Sequence, residues 1–182
     1  MLLDIFPFIR REVPAAQLYL FTGMSHYGDS FSEWERQLKP LYDKARGQAG
    51  VHLNPPITKQ ELAKELLSSY LALYPSHFKE CCSISSLECQ AAGTPMVTSN
   101  LAGLKDTIID GESGVLVPVD DPVQMSYSPV YRRRFLEATL ELLGNEEKWN
   151  QLSWNARRRI GEKYTWDLIA RKWLTEFSAL LH

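Results

Sequence analysis

Phe78-Lys-Glu-Cys-Cys-Ser-Ile-Ser-Ser-Leu-Glu-Cys-Gln-Ala-Ala-Gly-Thr-Pro-Met-Val-Thr-Ser-Asn100 decides the fold. It carries two glutamates, Glu80 and Glu88, and between them the start of a short helix pattern over Ile84 to Ala92. Gly93 and Pro95 stop that pattern, and the apolar strand Met96-Val97-Thr98 follows. The first turn of a helix leaves backbone N–H groups unpaired at the positive end of the macrodipole. The junction at Ser83 to Ser85 is therefore a natural place for an anion. Glu80 stands on the loop before that junction and Glu88 just over one turn inside the helix. Two carboxylates at the rim of a phosphate pocket are placed to accept hydrogen bonds from sugar hydroxyls.

Strand and helix patterns alternate on both sides of this stretch. Leu2–Val13 reads as a helix ending on Arg10 and Arg11, with Pro7 inside it, and Gln17–Thr22 as a buried strand ending at Gly23. Met24–Ser30 reads as a polar loop. Ser32-x-x-Glu35 opens a helix to about Arg46, and Gly50–Asn54 is a second strand. After the loop Asn54-Pro-Pro-Ile57, Thr58-x-x-Glu61 caps a helix carrying Leu62, Leu66 and Leu67, and Tyr70–Tyr74 is a third strand. Downstream, Leu104–Asp110 reads as a short helix, Gly111–Gly114 as a turn and Val115–Val117 as a last strand. Beyond Pro122 come three helices, Ser128–Leu143, Glu146–Lys163 and Thr165–Leu181. The expected architecture is α/β: a Rossmann-like three-layer parallel sheet with helices on both faces and a helical C-terminal tail. Residues 1–122 are expected to form this Rossmann-like domain, incomplete at its N-terminus, and 123–182 helices packing on it. Ligands of such sheets sit at the carboxyl ends of the strands, so Gly23, Pro55, Ser76 and Asn100 are expected beside Glu80 and Glu88.

Composition excludes several classes. The chain has 182 residues, 45% hydrophobic and 23% charged, with a formal net charge of -2. That is long enough for one ordinary domain and too neutral to favour nucleic acid or an acidic membrane. No apolar run approaches the roughly 20 residues of a membrane span. The opening Met-Leu-Leu-Asp lacks a basic lead-in to a secretory signal. Three cysteines make no disulfide framework, and no Cys/His spacing reads as zinc, so no metal is expected. The default location is the cytoplasm.

Tyr74-Pro-Ser…Glu80-x7-Glu88-x4-Gly93-Thr-Pro…Ser99-Asn…Gly103…Asp110-Gly-x-x-Gly114-x-Leu-Val-Pro118 resembles the C-terminal, donor-binding half of retaining glycosyltransferases of the family 4 type, with the two-lobed GT-B fold. The resemblance covers nearly the whole chain. It implies a nucleotide-sugar donor as substrate and no cofactor. It also implies Glu80 on the hydroxyls of the transferred sugar, as the catalytic carboxylate, and Glu88 on the ribose. The amides of Ser83, Ile84 and Ser85 would hold the diphosphate, and Pro56 and Ile57 would lie against the base. Helix dipole, amides and basic side chains would stabilise the leaving diphosphate without metal.

This sequence departs from that pattern twice. Cys82-Ser83 stands where the family usually has Phe-Gly, which puts a side chain where the backbone approaches phosphate most closely. The family's donor half also begins with a strand and a loop whose Arg and Lys neutralise the diphosphate, and both would precede Leu2. That strand would lie between those at 17–22 and 70–74, leaving two unpaired edges. The chain is therefore expected to be a donor half completed by a missing N-terminal acceptor domain, a partner chain or a second copy. An epimerase of the same shape and a non-catalytic interaction module are the rival expectations.

Blander roles accompany these. Ser85-x-x-Glu88 also fits a capping box. Cys81 and Cys82 read either as a reactive pair or as small packed residues, the packed role being the expectation, and Arg132–Arg134 and Arg157–Arg159 either as sites for phosphates or an acidic membrane surface or, as expected, as solvated helix faces. Trp149, Trp154, Trp166 and Trp173 are expected as packing anchors. His26, His52, His77 and His182 share no ligand spacing, and only His77 stands near the motif.

Overall fold

The computed structural model describes residues 1–22, 31–125 and 128–180, and within 31–37 the side chain of Arg36 alone. Gly23, the Met24–Ser30 loop with His26, the Ser32–Glu35 capping pair, Leu181 and His182 lie outside the described residues. The chain divides into two compact units, Met1–Leu62 and Ala63–His182.

In the first unit, α1 (Leu2–Glu12) buries Ile5, Phe6 and Ile9 and runs through Pro7 without stopping. Strands β1 (Leu18–Phe21) and β2 (Val51–Asn54) pair in parallel, from Leu18 opposite Val51 to Phe21 opposite Asn54. They are joined through α2 (Phe31–Gly47). The capping box expected at Thr58 is present. Thr58 N–H donates to Glu61 Oε2 at 2.8 Å and Glu61 N–H donates back to Thr58 Oγ1 at 3.2 Å. They start α3 (Lys59–Ser68) by satisfying donors that no helical turn can reach.

The second unit is built on β4 (Met96–Ser99), flanked in parallel by β3 (Ala72–Tyr74) and β5 (Val115–Val117). All four residues of β4 are buried. Strand alternation sends them to opposite faces. Met96 joins Cys89 of α4 (Ile84–Ala92), Ile108 and Leu116 in one cluster. Ser99 meets Tyr131 of α6 (Pro129–Leu143), Oγ to phenol oxygen, at 2.8 Å. Phe135 of α6 is fully buried, a contribution of about 2 kcal/mol at the usual value for such a side chain. α7 (Glu146–Lys163) packs on α4 and α6, and α8 (Trp166–Leu180) on α7. The α/β class, the parallel strands and the helical tail are as the sequence predicts.

The strands fall into two sheets, β1-β2 and β3-β4-β5. Among the described residues β1 pairs only with β2 and β3 only with β4.

Three local expectations are corrected. β3 starts at Ala72 rather than Tyr70, because Tyr70 C=O accepts the Trp149 indole N–H at 2.7 Å and its ring stacks on that indole at 4.9 Å. α5 (Leu104–Thr107) ends before Asp110: Ile108 turns extended to enter the core, where it is 1% exposed. Of the four tryptophans expected as anchors, Trp149 alone serves; Trp154, Trp166 and Trp173 are exposed. No described helix is long and apolar enough to cross a membrane.

Candidate functional site

Tyr74 closes β3, and the chain then turns through Pro75-Ser76 toward Glu80. The Glu80 carboxylate is half-buried and accepts from the Tyr74 phenol at 2.8 Å and from Ser76 Oγ at 3.4 Å, both through Oε1. Burial first, and the adjoining Glu80 carboxylate second, hold the Tyr74 phenol above its usual range, so it stays protonated and donates. The main chain is fixed as well: Gly103 N–H donates to Glu80 C=O at 2.8 Å. A Cβ at Gly103 would stand 2.3 Å from Cys81 O and 2.6 Å from Glu80 O. Only a glycine admits this approach. The segment after β4 thus sets the loop after β3, and of the expected strand-end cluster Ser76 does lie against Glu80.

Ser83, not Ser85, caps α4. Its φ/ψ are extended, its side chain is fully buried, and its Oγ accepts the Ser86 N–H at 3.4 Å. The capping-box reading of Ser85 and Glu88 is therefore overturned, since both lie past the cap. Ile84 and Ser85 are exposed, and their backbone N–H groups have no acceptor among the described residues. These are the donors a helix start leaves open. Glu88 is half-buried one turn further along. One loop-helix junction thus brings together Glu80, Ser83, Ile84, Ser85 and Glu88. Pro56 and Ile57 belong to the first unit, Pro56 exposed and Ile57 half-buried. Cys81 and Cys82 are both exposed, so the packed reading of that pair is also overturned.

The other end of α4 is clamped by α7. Gly93 takes the left-handed conformation, φ 71°, and Thr94 N–H reaches back to Cys89 C=O at 2.9 Å. Arg157 donates to Ala92 C=O at 3.1 and 2.6 Å, and Ser153 Oγ to Gly93 C=O at 2.6 Å. A cation on the last carbonyls of a helix meets the negative end of its dipole. Arg159 is 7% exposed and donates to Thr107 C=O at 2.8 Å and Asp106 C=O at 3.3 Å, capping α5. The solvated-face expectation therefore fails for Arg159, while Arg157 stays exposed even as it bonds Ala92. Arg158 meets it only in part, lying over the exposed Trp154 ring at 4.7 Å.

Arg159 also begins a buried polar chain. It donates to Gln90 Oε1 at 3.4 Å, and Gln90 Nε2 donates to Thr107 C=O at 2.9 Å and Ser86 C=O at 3.1 Å. Ser86 Oγ lies 2.7 Å from Thr107 Oγ1 and 2.8 Å from Ser83 C=O. The α4 start is fixed from beneath by side chains that sequence reasoning did not single out. Their common signal is a polar residue on the apolar side of a helix: Ser86 and Gln90 share the buried face with Cys89.

The Asp110–Gly114 turn is likewise structural. Asp110 Oδ1 accepts the Leu116 N–H at 2.8 Å, and Gly111 N–H donates to Gly114 C=O at 2.9 Å.

The sequence and fold are similar to those of known proteins. The family model described as "Glycosyl transferases group 1" matches residues 1–128. A D-inositol 3-phosphate glycosyltransferase of Thermobispora bispora is 32% identical over 122 residues, 67% of this chain and 26% of the relative. One from Paenarthrobacter aurescens is 41% identical over 68 residues, 37% of this chain and 16% of the relative. Among solved structures, sucrose-phosphate synthase from Thermosynechococcus elongatus superposes with a TM-score of 0.76 at 23% identity, over 98% of this chain and 42% of that one. Anabaena HepE in complex with UDP-glucose gives 0.70 at 14% identity, over 98% and 44%. The chain thus spans about a quarter of the length of the first of these curated relatives and has the fold of the C-terminal half of a GT-B enzyme. With the Glu-x7-Glu junction, the Gly-Thr-Pro turn and the Asp-Gly-x-x-Gly turn all in place, the chain belongs to the group 1 glycosyl transferases.

Proposed function

We infer that this chain is the donor-binding part of a retaining, metal-independent glycosyltransferase that moves a sugar from a nucleotide sugar to an acceptor. The observation that carries this is the open helix start: the N–H groups of the exposed Ile84 and Ser85, without an acceptor among the described residues, beside a carboxylate held in place by Tyr74. Amides fixed before the reaction stabilise a developing diphosphate without reorganising, which is what a leaving group of that charge requires. Glu80 accepts from hydroxyls of the transferred sugar, and Glu88 from the ribose. The acceptor attacks on the face from which the diphosphate departs, so configuration is retained. The complex of HepE with UDP-glucose supports a nucleotide sugar as the donor class. The greater length of the relatives supports completion by a further segment, a partner chain or a second copy. Turnover by this chain alone is therefore weak or absent, and its setting is the cytoplasm.

Isothermal titration calorimetry against UDP-, GDP- and ADP-sugars tests the proposal. One of these should bind, with Glu88→Gln weakening it by tenfold or more and Glu80→Gln weakening the sugar but not the free nucleotide. No binding at millimolar concentration, with Glu88→Gln silent, would leave only an interaction module. Conversion of the donor without acceptor would point to an epimerase.

A further inference from the structure

Cys81 and Cys82 are the exposed thiols of this chain, and Cys89 is the buried one. We propose that Cys81 and Cys82 form a dithiol site that captures one soft electrophile offering two positions to sulfur, such as a trivalent organoarsenical, and that capture closes the mouth of the donor pocket. Three observations carry this. The backbone of the pair cannot retreat inward: Gly103 N–H holds Glu80 C=O at 2.8 Å, and Cys81 C=O lies where a Gly103 Cβ would be only 2.3 Å away. On the other side, Ser83 is fully buried as the cap of α4. Both side chains thus stay outside a loop pinned at each end. The donor set is two sulfurs and no more, because no group of three or more His, Cys, Asp or Glu suited to a metal occurs among the described residues. An arsenical brings its own third substituent and needs two thiols.

The step balances without oxidant or reductant. An organoarsenic oxide gives up its As–O bonds, two As–S bonds form, and both thiol protons leave with the oxygen as water. The ring so closed is one atom larger than a disulfide between neighbouring residues would close, which relaxes the tight geometry such a disulfide demands. Capture itself is independent of the donor reading; closure of the pocket rests on it, because along the chain the pair stands between Glu80 and the amides of Ile84 and Ser85.

Phenylarsine oxide is the probe, used on the intact chain. Intact-mass spectrometry should find one adduct per chain, and thiol titration without denaturant should lose both fast-reacting groups. Dimercaptopropanol should release the adduct and glutathione should not. Cys81→Ser and Cys82→Ser should each make it glutathione-labile, while Cys89→Ala retains it, and peptide mapping of the wild type should place arsenic on the Cys81-Cys82 peptide. Glutathione-labile adducts on the wild type, or arsenic at Cys89, would overturn capture. Affinity for the best nucleotide sugar should fall at least tenfold on capture, and unchanged affinity would refute pocket closure. Failure of the untreated chain to bind any nucleotide would refute the donor reading and leave capture standing.

Discussion

Replacing Gly103 by alanine tests whether the loop after β3 is set by the segment after β4. Gly103 has φ -62° and ψ -12°, values any residue adopts, so alanine adds no backbone strain there. The whole cost is steric. The new Cβ would stand 2.3 Å from Cys81 O, where real Cβ contacts essentially never fall below 3.0 Å, so the loop must retreat by at least about 0.7 Å. The obstacle is backbone, and no rotamer change relieves it. Overpacking of this kind costs about 1–3 kcal/mol, and stretching the Gly103-to-Glu80 hydrogen bond adds about 1 kcal/mol. Urea unfolding followed by far-UV circular dichroism should show a loss of about 2–4 kcal/mol. Calorimetry should show weaker nucleotide-sugar binding even where the protein is fully folded, because Glu80 moves away from Tyr74. Stability within about 0.5 kcal/mol of wild type, the range of a neutral surface change, would refute the reasoning.

Other predictions follow from the same contacts. Gly161→Ala, inside α7 with no atom within 4 Å of the added Cβ, should stabilise by about 0.5–1 kcal/mol in the same assay; a loss would show that the site is not free. Ser83→Ala should cost about 1 kcal/mol by removing the α4 cap, whereas Ser83→Gly should cost only a few tenths. Thermal unfolding distinguishes them, and equal losses would show that the cap contributes nothing. Burial pushes the Cys89 thiol and the Tyr131 phenol each up to about 12. Folding therefore keeps both protons while the unfolded chain releases them. The stability these groups contribute is full below about pH 9, where the unfolded thiol begins to ionise, and is lost as pH rises toward 12. The slope should approach 1.4 kcal/mol per pH unit for each group. Denaturant titrations from pH 8 to 11 measure it, and Cys89→Ala or Tyr131→Phe should each flatten it.

The sequence alone determined the order and kind of the elements, because those depend on short-range chemistry. Apolar periodicity, Thr58-x-x-Glu61 and the Gly93-Thr94-Pro95 stop act within a turn or two of themselves, and each forms as predicted. The spacing of Glu80 and Glu88 likewise puts one on the loop and the other on the helix of a single junction, although the distant Gly103 fixes that loop.

What only the tertiary structure decided depends on partners far along the chain. Ser83 rather than Ser85 starts α4, and its neighbour Ser86 is fixed by Thr107, 21 residues away. Arg157 and Arg159 look like a solvated triplet with Arg158 because one-dimensional spacing cannot show the carbonyls of Ala92, Asp106 and Thr107 ending against them. Gly103 is an ordinary loop glycine until Cys81 is brought against it. A hydrogen bond or a steric limit between distant segments leaves no periodic trace in sequence. The elements of the junction were therefore legible in the residues, and its rigidity only in the packing beneath it.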